Sequence, residues 1–136
     1  MSKKLVINTD GGARGNPGPA GIGVIIKTED GEMVYQFGGY IGEATNNVAE
    51  YKALIKSLEE SKHLGGTDLR IQMDSELIVK QMQGIYKIKE PTLQGLAQEV
   101  LKLLKNFAGY SFVHVRREFN KEADAMVNQA IDAAIK

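Results

Sequence analysis

Apolar residues follow two spacings along the chain, and the spacing switches several times. Leu5–Thr9 is a short run that stops at Asp10-Gly11-Gly12 and predicts a buried strand. The next stretch, Ala13–Ala20, reads Ala-Arg-Gly-Asn-Pro-Gly-Pro-Ala and predicts a turn-rich loop. Gly21–Thr28 and Glu32–Ile41 predict two further strands around a tight turn at Asp30-Gly31. From Asn46 to His63 the spacing becomes helical, and Gly65-Gly66 ends it. Leu69–Met73 predicts a short strand, and Ser75–Gln83 a short helix stopped by Gly84. Glu90 or Pro91 opens another helix that runs to about Phe107. Tyr110–Val115 predicts a strand, and Asn120–Ile135 the closing helix.

The order β-β-β-α-β-α-α-β-α belongs to the α/β class. Three strands form an antiparallel meander, and the two later strands, separated by helices, are expected to be parallel. The prediction is a mixed five-stranded sheet with helices on both faces. The 136 residues suit one domain, and no repeat, low-complexity tract or Pro/Ser linker divides residues 1–136. The absence of cysteine removes disulfides, thiolate metal sites and cysteine nucleophiles. Met1–Leu5 lacks the apolar run of a signal peptide, and no segment approaches the ~18 apolar residues of a membrane span. A cytoplasmic protein without a membrane partner is therefore expected. Seventeen basic residues balance seventeen acidic ones. That argues against a strongly basic coat for nucleic acid, while local patches remain able to meet phosphate.

Four of the acids stand in unusual places. Asp10 follows an apolar strand and precedes two glycines that leave room beside its carboxylate; an aspartate before glycine is also a common turn residue. Asp74 closes the strand Leu69–Met73 and opens a helix. It suits helix capping, and equally a ligand site at the carboxyl end of a strand. Glu50 lies off the polar face formed by Lys52, Lys56, Glu59 and Glu60, beside Ala53, Leu54 and Leu58. An acid turned toward the sheet is costly unless it is paired or binds metal, although the first turn of a helix also favours a negative charge. Asp124 heads a helical stripe through Asn128, Ile131 and Ile135, and is expected to point inward.

Two acids at strand ends and two on inward helix faces can converge. Such a cluster repels itself and needs cations. Oxygen donors without Cys, and without His at matching spacing, favour Mg²⁺ or Mn²⁺ over Zn²⁺. Two such ions suit in-line displacement at phosphorus, one activating water and the other stabilising the leaving 3′-oxygen.

Four blocks also resemble a known family. Asp10–Gly21 (Asp-Gly-Gly-Ala-Arg-Gly-Asn-Pro-Gly-Pro-Ala-Gly) resembles the opening signature of type 1 ribonuclease H. Ala44–Glu50, Met73–Leu77 and Asn120–Asp124 resemble its second, third and fourth motifs, in order and at similar intervals over nearly the whole chain. The resemblance implies that Asp10, Glu50, Asp74 and Asp124 are the catalytic, metal-binding carboxylates. It implies two Mg²⁺ ions per site with substrate, with Mn²⁺ as a substitute. The activity implied is endonucleolytic cleavage of the RNA strand of an RNA–DNA hybrid, leaving 5′-phosphate and 3′-hydroxyl ends. Gly11, Gly12, Asn16, Thr45 and Asn47 match nucleic-acid contacts, and Thr45 and Asn47 near a helix start also suit phosphate on physical grounds. Asn46 and Glu50 match positions that read the ribose 2′-hydroxyl, the group that marks RNA. Glu76 stands where some relatives carry Gln.

Two departures are visible. Many relatives carry a mobile histidine before the last motif; here that position is Glu118, with Arg117 beside it as a second auxiliary candidate. His114 lies within a strand pattern and is expected to be partly buried. The chain also has no Trp and no long basic protrusion, leaving Lys80, Tyr86, Lys87 and Lys89 as candidate hybrid contacts. This marks a subgroup lacking both features, acting as a monomer. Competing readings are a non-cleaving hybrid or double-stranded RNA binding module of the same fold, a DNA-cutting or exonucleolytic relative, and a structural domain with incidental acids. The complete set of four acids disfavours the first, Thr45-Asn46-Asn47 beside Glu50 the second, and inward-facing Glu50 and Asp124 the third.

Overall fold

The computed structural model describes residues 2–136. Its elements are β1 (Lys4–Ala13), β2 (Gly18–Thr28), β3 (Met33–Ala44), α1 (Asn46–His63), β4 (Asp68–Met73), α2 (Glu76–Met82), α3 (Pro91–Leu104), β5 (Gly109–His114) and α4 (Lys121–Ala134), with a short 3₁₀ turn at Arg117–Phe119 before α4. The sheet order is β3-β2-β1-β4-β5. β1 pairs antiparallel with β2, and β2 with β3. β1–β4 and β4–β5 are parallel. The mixed five-stranded sheet expected from the sequence is the one observed.

The main correction lies at the glycine-rich segment. Ala13–Ala20 is not one loop, because β1 and β2 stay paired as far as Ala13↔Ala20, leaving a short turn around Arg14–Pro17. Asp10 therefore lies inside a strand rather than after one. Ladder bonds need only backbone, and the glycines let both layers of helix approach the sheet. A Cβ on Gly11 would stand 2.3 Å from the Ala49 carbonyl carbon in α1, and one on Gly23 would overlap the Ala123 carbonyl in α4. Because neighbouring strand residues face opposite sides, α1 and α4 cover opposite faces. Smaller corrections follow: β3 runs on to Ala44, α3 stops at Leu104, β5 begins at Gly109, and Ser75 caps α2 from outside it.

The main core lies between the sheet and α1. Leu5, Ile7, Val24, Ile26, Ile71 and Met73 meet Tyr51, Leu54 and Leu58, with α3 packed behind α1. Each such side chain, fully buried, contributes roughly 1.5–3 kcal/mol before entropy is set against it. α1 starts at Thr45, whose side chain accepts from the Val48 N–H at 3.2 Å, and the chain leaves it through Gly65 at φ +77. On the other face α4 buries Ala123, Val127 and Ile131. That line corrects the predicted stripe: Asp124 and Asn128 flank it, and Ile135, just past the helix, is 49% exposed.

Candidate active site

Sheet register brings the first two acids together. β1 and β4 run parallel and end their pairing at Thr9↔Met73, so the next residues, Asp10 and Asp74, stand side by side. β1 continues against β2 while β4 stops, which opens space above Asp74. The third acid comes from α1. Without a side chain at Gly11 the helix backbone approaches β1, and the Gly11 N–H donates to Glu50 Oε1 at 2.9 Å. Asp10, Glu50 and Asp74 each offer a carboxylate oxygen, and these oxygens lie within 4.8 Å of one another. They stand in an open cavity of about 400 Å³, also lined by Gly11, Gly12, Asn46, Asn47, Arg117 and Asp124.

Asp10 and Glu50 are each only 7% exposed. Burial, then the charges of Asp74 and Asp124 and a hydrogen bond shared with Asp124, push the Asp10 carboxyl up to about 8. Burial first, and then Asp10 and Asp74, hold Glu50 well above the usual carboxylate range, against the opposing Gly11 N–H and the Arg117 charge. Burial also raises Asp74, while Asn120 and Arg117 draw it down. Among the described residues no lysine or arginine forms an ion pair with Asp10, Glu50 or Asp74. A largely buried set of carboxylates without a cation in ion-pair contact is the donor chemistry of a hard divalent ion, so the residues present fit Mg²⁺ or Mn²⁺.

The other predicted residues divide into two groups. Asp124, half-buried in the first turn of α4, lines the cavity outside the tight group of three and accepts from Asn128 Nδ2 at 3.3 Å. Asn46 and Asn47 line the cavity at the start of α1. Asn46 Oδ1 accepts from the Ala13 N–H at 2.8 Å, which turns its Nδ2 end away from β1. Asn16 and Thr45 stand behind this wall: Asn16 Oδ1 accepts from the Asn46 N–H at 3.0 Å, and Thr45 caps α1. Glu76 is exposed on α2 and does not line the cavity, although Ser75 does. Lys87 and Lys89 are exposed on the α2–α3 connection, also away from it, and Lys80 Nζ lies 5.2 Å from the centre of the neighbouring Tyr86 ring. Of the two auxiliary candidates, Arg117 lines the cavity, whereas Glu118 lies outside it and pairs with Arg116 at 3.5 Å. His114 is exposed at the end of β5, not partly buried, and its charge acts on Asp74.

Sequence reading missed Arg14, Asn128 and Asn120. Arg14 and Asn128 line the cavity. Asn128 carried a signal, since it stands one helical turn after Asp124, and Asn120 opens the fourth motif.

The reverse transcriptase-like family matches residues 8–130. The crystal structure of LC11-RNase H1 in complex with an RNA/DNA hybrid, a protein isolated from compost, superposes with a TM-score of 0.93 at 50% identity, covering 97% of this chain and 99% of that one. The chain belongs to the type 1 ribonuclease H family. Ribonuclease HI of Halobacterium salinarum is 42% identical over 125 residues, 92% of this chain and 63% of that protein. A bifunctional protein of Mycobacterium tuberculosis is 45% identical over 132 residues, 96% of this chain. The chain spans only 36% of that protein's length, so the match to this family member concerns one part of it. Among the described residues no helix is long and apolar enough to cross a membrane.

Proposed function

We propose that the chain is a divalent-cation-dependent endoribonuclease that hydrolyses the RNA strand of RNA–DNA hybrids. The observation that carries this reading is the convergence of Asp10, Glu50 and Asp74 within 4.8 Å in an open polar cavity. These three would hold Mg²⁺, or Mn²⁺ in its place, as two ions when substrate is bound, with Asp124 completing the site from its rim. Such cations, when bound, supply positive charge against the charge developing on the phosphate and acidify the attacking water.

The chain's own residues bind and orient. The Gly11 N–H fixes Glu50. Gly11 and Gly12 present backbone without side chains, so a ribose-phosphate strand can lie close to β1. Asn46 and Asn47 sit at the positive end of α1, which suits phosphate, and Asn46 Nδ2 and Glu50 suit a ribose 2′-hydroxyl. Arg117 brings a positive charge to the cavity rim near the scissile phosphate. Asn16 and Thr45 support this wall from behind. Lys87 and Lys89, with Tyr86 and Lys80, meet the duplex farther away, and Glu76 borders its path. Products carry 5′-phosphate and 3′-hydroxyl ends. The hybrid bound in the LC11-RNase H1 structure supports this substrate class. Residues 1–136 act as one catalytic domain, as a cytoplasmic monomer. The intact set of acids disfavours a non-cleaving binding module.

The test is a panel of labelled RNA–DNA hybrid, double-stranded RNA, single-stranded RNA and double-stranded DNA, each with and without Mg²⁺, with the ends mapped. Internal cuts in hybrid RNA only, and only with the cation, are expected. Cleavage of DNA, or equal cleavage without cation, would overturn the reading.

A further inference from the structure

Asn120 is 1% exposed, and the reading above gives it no task. Its Nδ2 donates to the Thr9 carbonyl of β1 at 2.9 Å. Its Oδ1 accepts from Asn8 Nδ2 at 3.0 Å, and Asn8 Nδ2 also reaches the Phe119 carbonyl at 3.4 Å. The Asn120 carbonyl accepts from the Asp124 N–H at 3.1 Å.

A carboxamide has one acceptor end and one donor end. Asn8 brings a donor to one end, which leaves the Nδ2 end of Asn120 to the carbonyl of Thr9, the residue before Asp10. One buried residue thus joins β1 to the first turn of α4. We infer that Asn120, oriented by Asn8, is a positioning residue that ties the first turn of α4, which carries Asp124, to the strand carrying Asp10 and so sets the spacing of the cation-binding carboxylates. The inference rests on the cation role given to those acids above. Asn8 is the clean probe, because it faces a separate cavity with Lys27 and Gln72 and does not line the acid cavity. Placing an acid at position 8 sets an acceptor against Oδ1. Turning the Asn120 amide over satisfies that acceptor but aims its oxygen at the Thr9 carbonyl.

The experiment compares wild type with Asn8→Ala, Asn8→Asp and Asn120→Ala. It measures Mg²⁺ affinity by calorimetry without substrate, the melting temperature, and kcat and KM on hybrid. Partners that orient metal ligands typically contribute about 10–100-fold in metal affinity or activity. Asn120→Ala is expected in that range, and Asn8→Asp at roughly 10-fold with Asn8→Ala milder. KM for hybrid should hold while kcat falls. Variants that melt earlier but keep wild-type Mg²⁺ affinity and kcat would show a purely structural amide and overturn the inference. Should Asn120→Ala fail to fold, the two Asn8 variants decide. If wild type binds Mg²⁺ without cutting hybrid, the functional reading fails, while the effect of Asn8→Asp on Mg²⁺ binding still decides this one.

Discussion

Asp10 concentrates the physics of the site in one side chain. It is held in the sheet by register, buried, and faced by Asp74 and Asp124, which leaves its carboxyl near 8 when no cation is present. Asp10→Asn keeps the shape and removes the repulsion. It should lower hybrid cleavage by on the order of 10³-fold while binding hybrid at least as tightly, checked by single-turnover cleavage beside a filter-binding isotherm. Normal turnover by this variant would remove Asp10 from the chemistry. A second residue-scale prediction separates the auxiliary candidates. Arg117→Ala should reduce kcat by about 10-fold, since it withdraws a positive charge from the cavity rim, and Glu118→Ala should leave kcat within about 2-fold; the reverse ranking would move the auxiliary role to Glu118. Asp10, Glu50 and Asp74 were legible because a carboxylate beside glycines, at a strand end or on an apolar helix face conflicts with ordinary burial. Asn120 was not, because an amide before a helix reads as a cap, and its partners Asn8 and Thr9 are remote in sequence.

At the scale of elements, the site depends on how closely helices approach the sheet. A methyl group on Gly11 would meet α1 backbone at 2.3 Å, whereas one on Gly12 finds its nearest atom, in Val127, at an ordinary 3.8 Å. Gly11→Ala should therefore cost ~3 kcal/mol or more, and Gly12→Ala less than ~1 kcal/mol, compared through urea midpoints. Equal losses would mean that close approach of α1 is not what fixes Glu50. Secondary-structure order and sheet type were readable from spacing alone. The continuation of β1 and β2 through Asp10–Ala13 and Gly18–Ala20 was not, because glycine and proline signal turns locally, and only the two covering helices show why small residues are needed inside these strands. The stripe drawn on α4 was displaced for a related reason. Its buried line is set by the glycines of β2 and β3 that it packs on, which puts Asp124 at the margin facing the cavity.

For the whole molecule, the acid cluster links folding to pH and to cations. An acid with a raised folded value keeps a proton that the unfolded chain has already lost. Between the ordinary aspartate value of 3.8 and about 8, the folded form of the cation-free chain holds more protons at Asp10, so its stability falls as pH rises through that window. The slope reaches up to ~1.4 kcal/mol per pH unit for one group. Melting curves without divalent cation should show this decline. Mg²⁺ should flatten it, and Asp10→Asn should remove most of it. A cation-free melting temperature that rises between mildly acid and alkaline pH would contradict the coupling. The most direct measurement of the central claim is carbon NMR of the side-chain carboxyls, followed as Mg²⁺ is added at neutral pH and as pH is varied without and with Mg²⁺. The account predicts that the Asp10, Glu50 and Asp74 signals move together and saturably with the cation, and that the Asp10 titration falls from about 8 toward the ordinary carboxylate range. Three signals that ignore Mg²⁺, or an Asp10 that titrates normally in its absence, would contradict it.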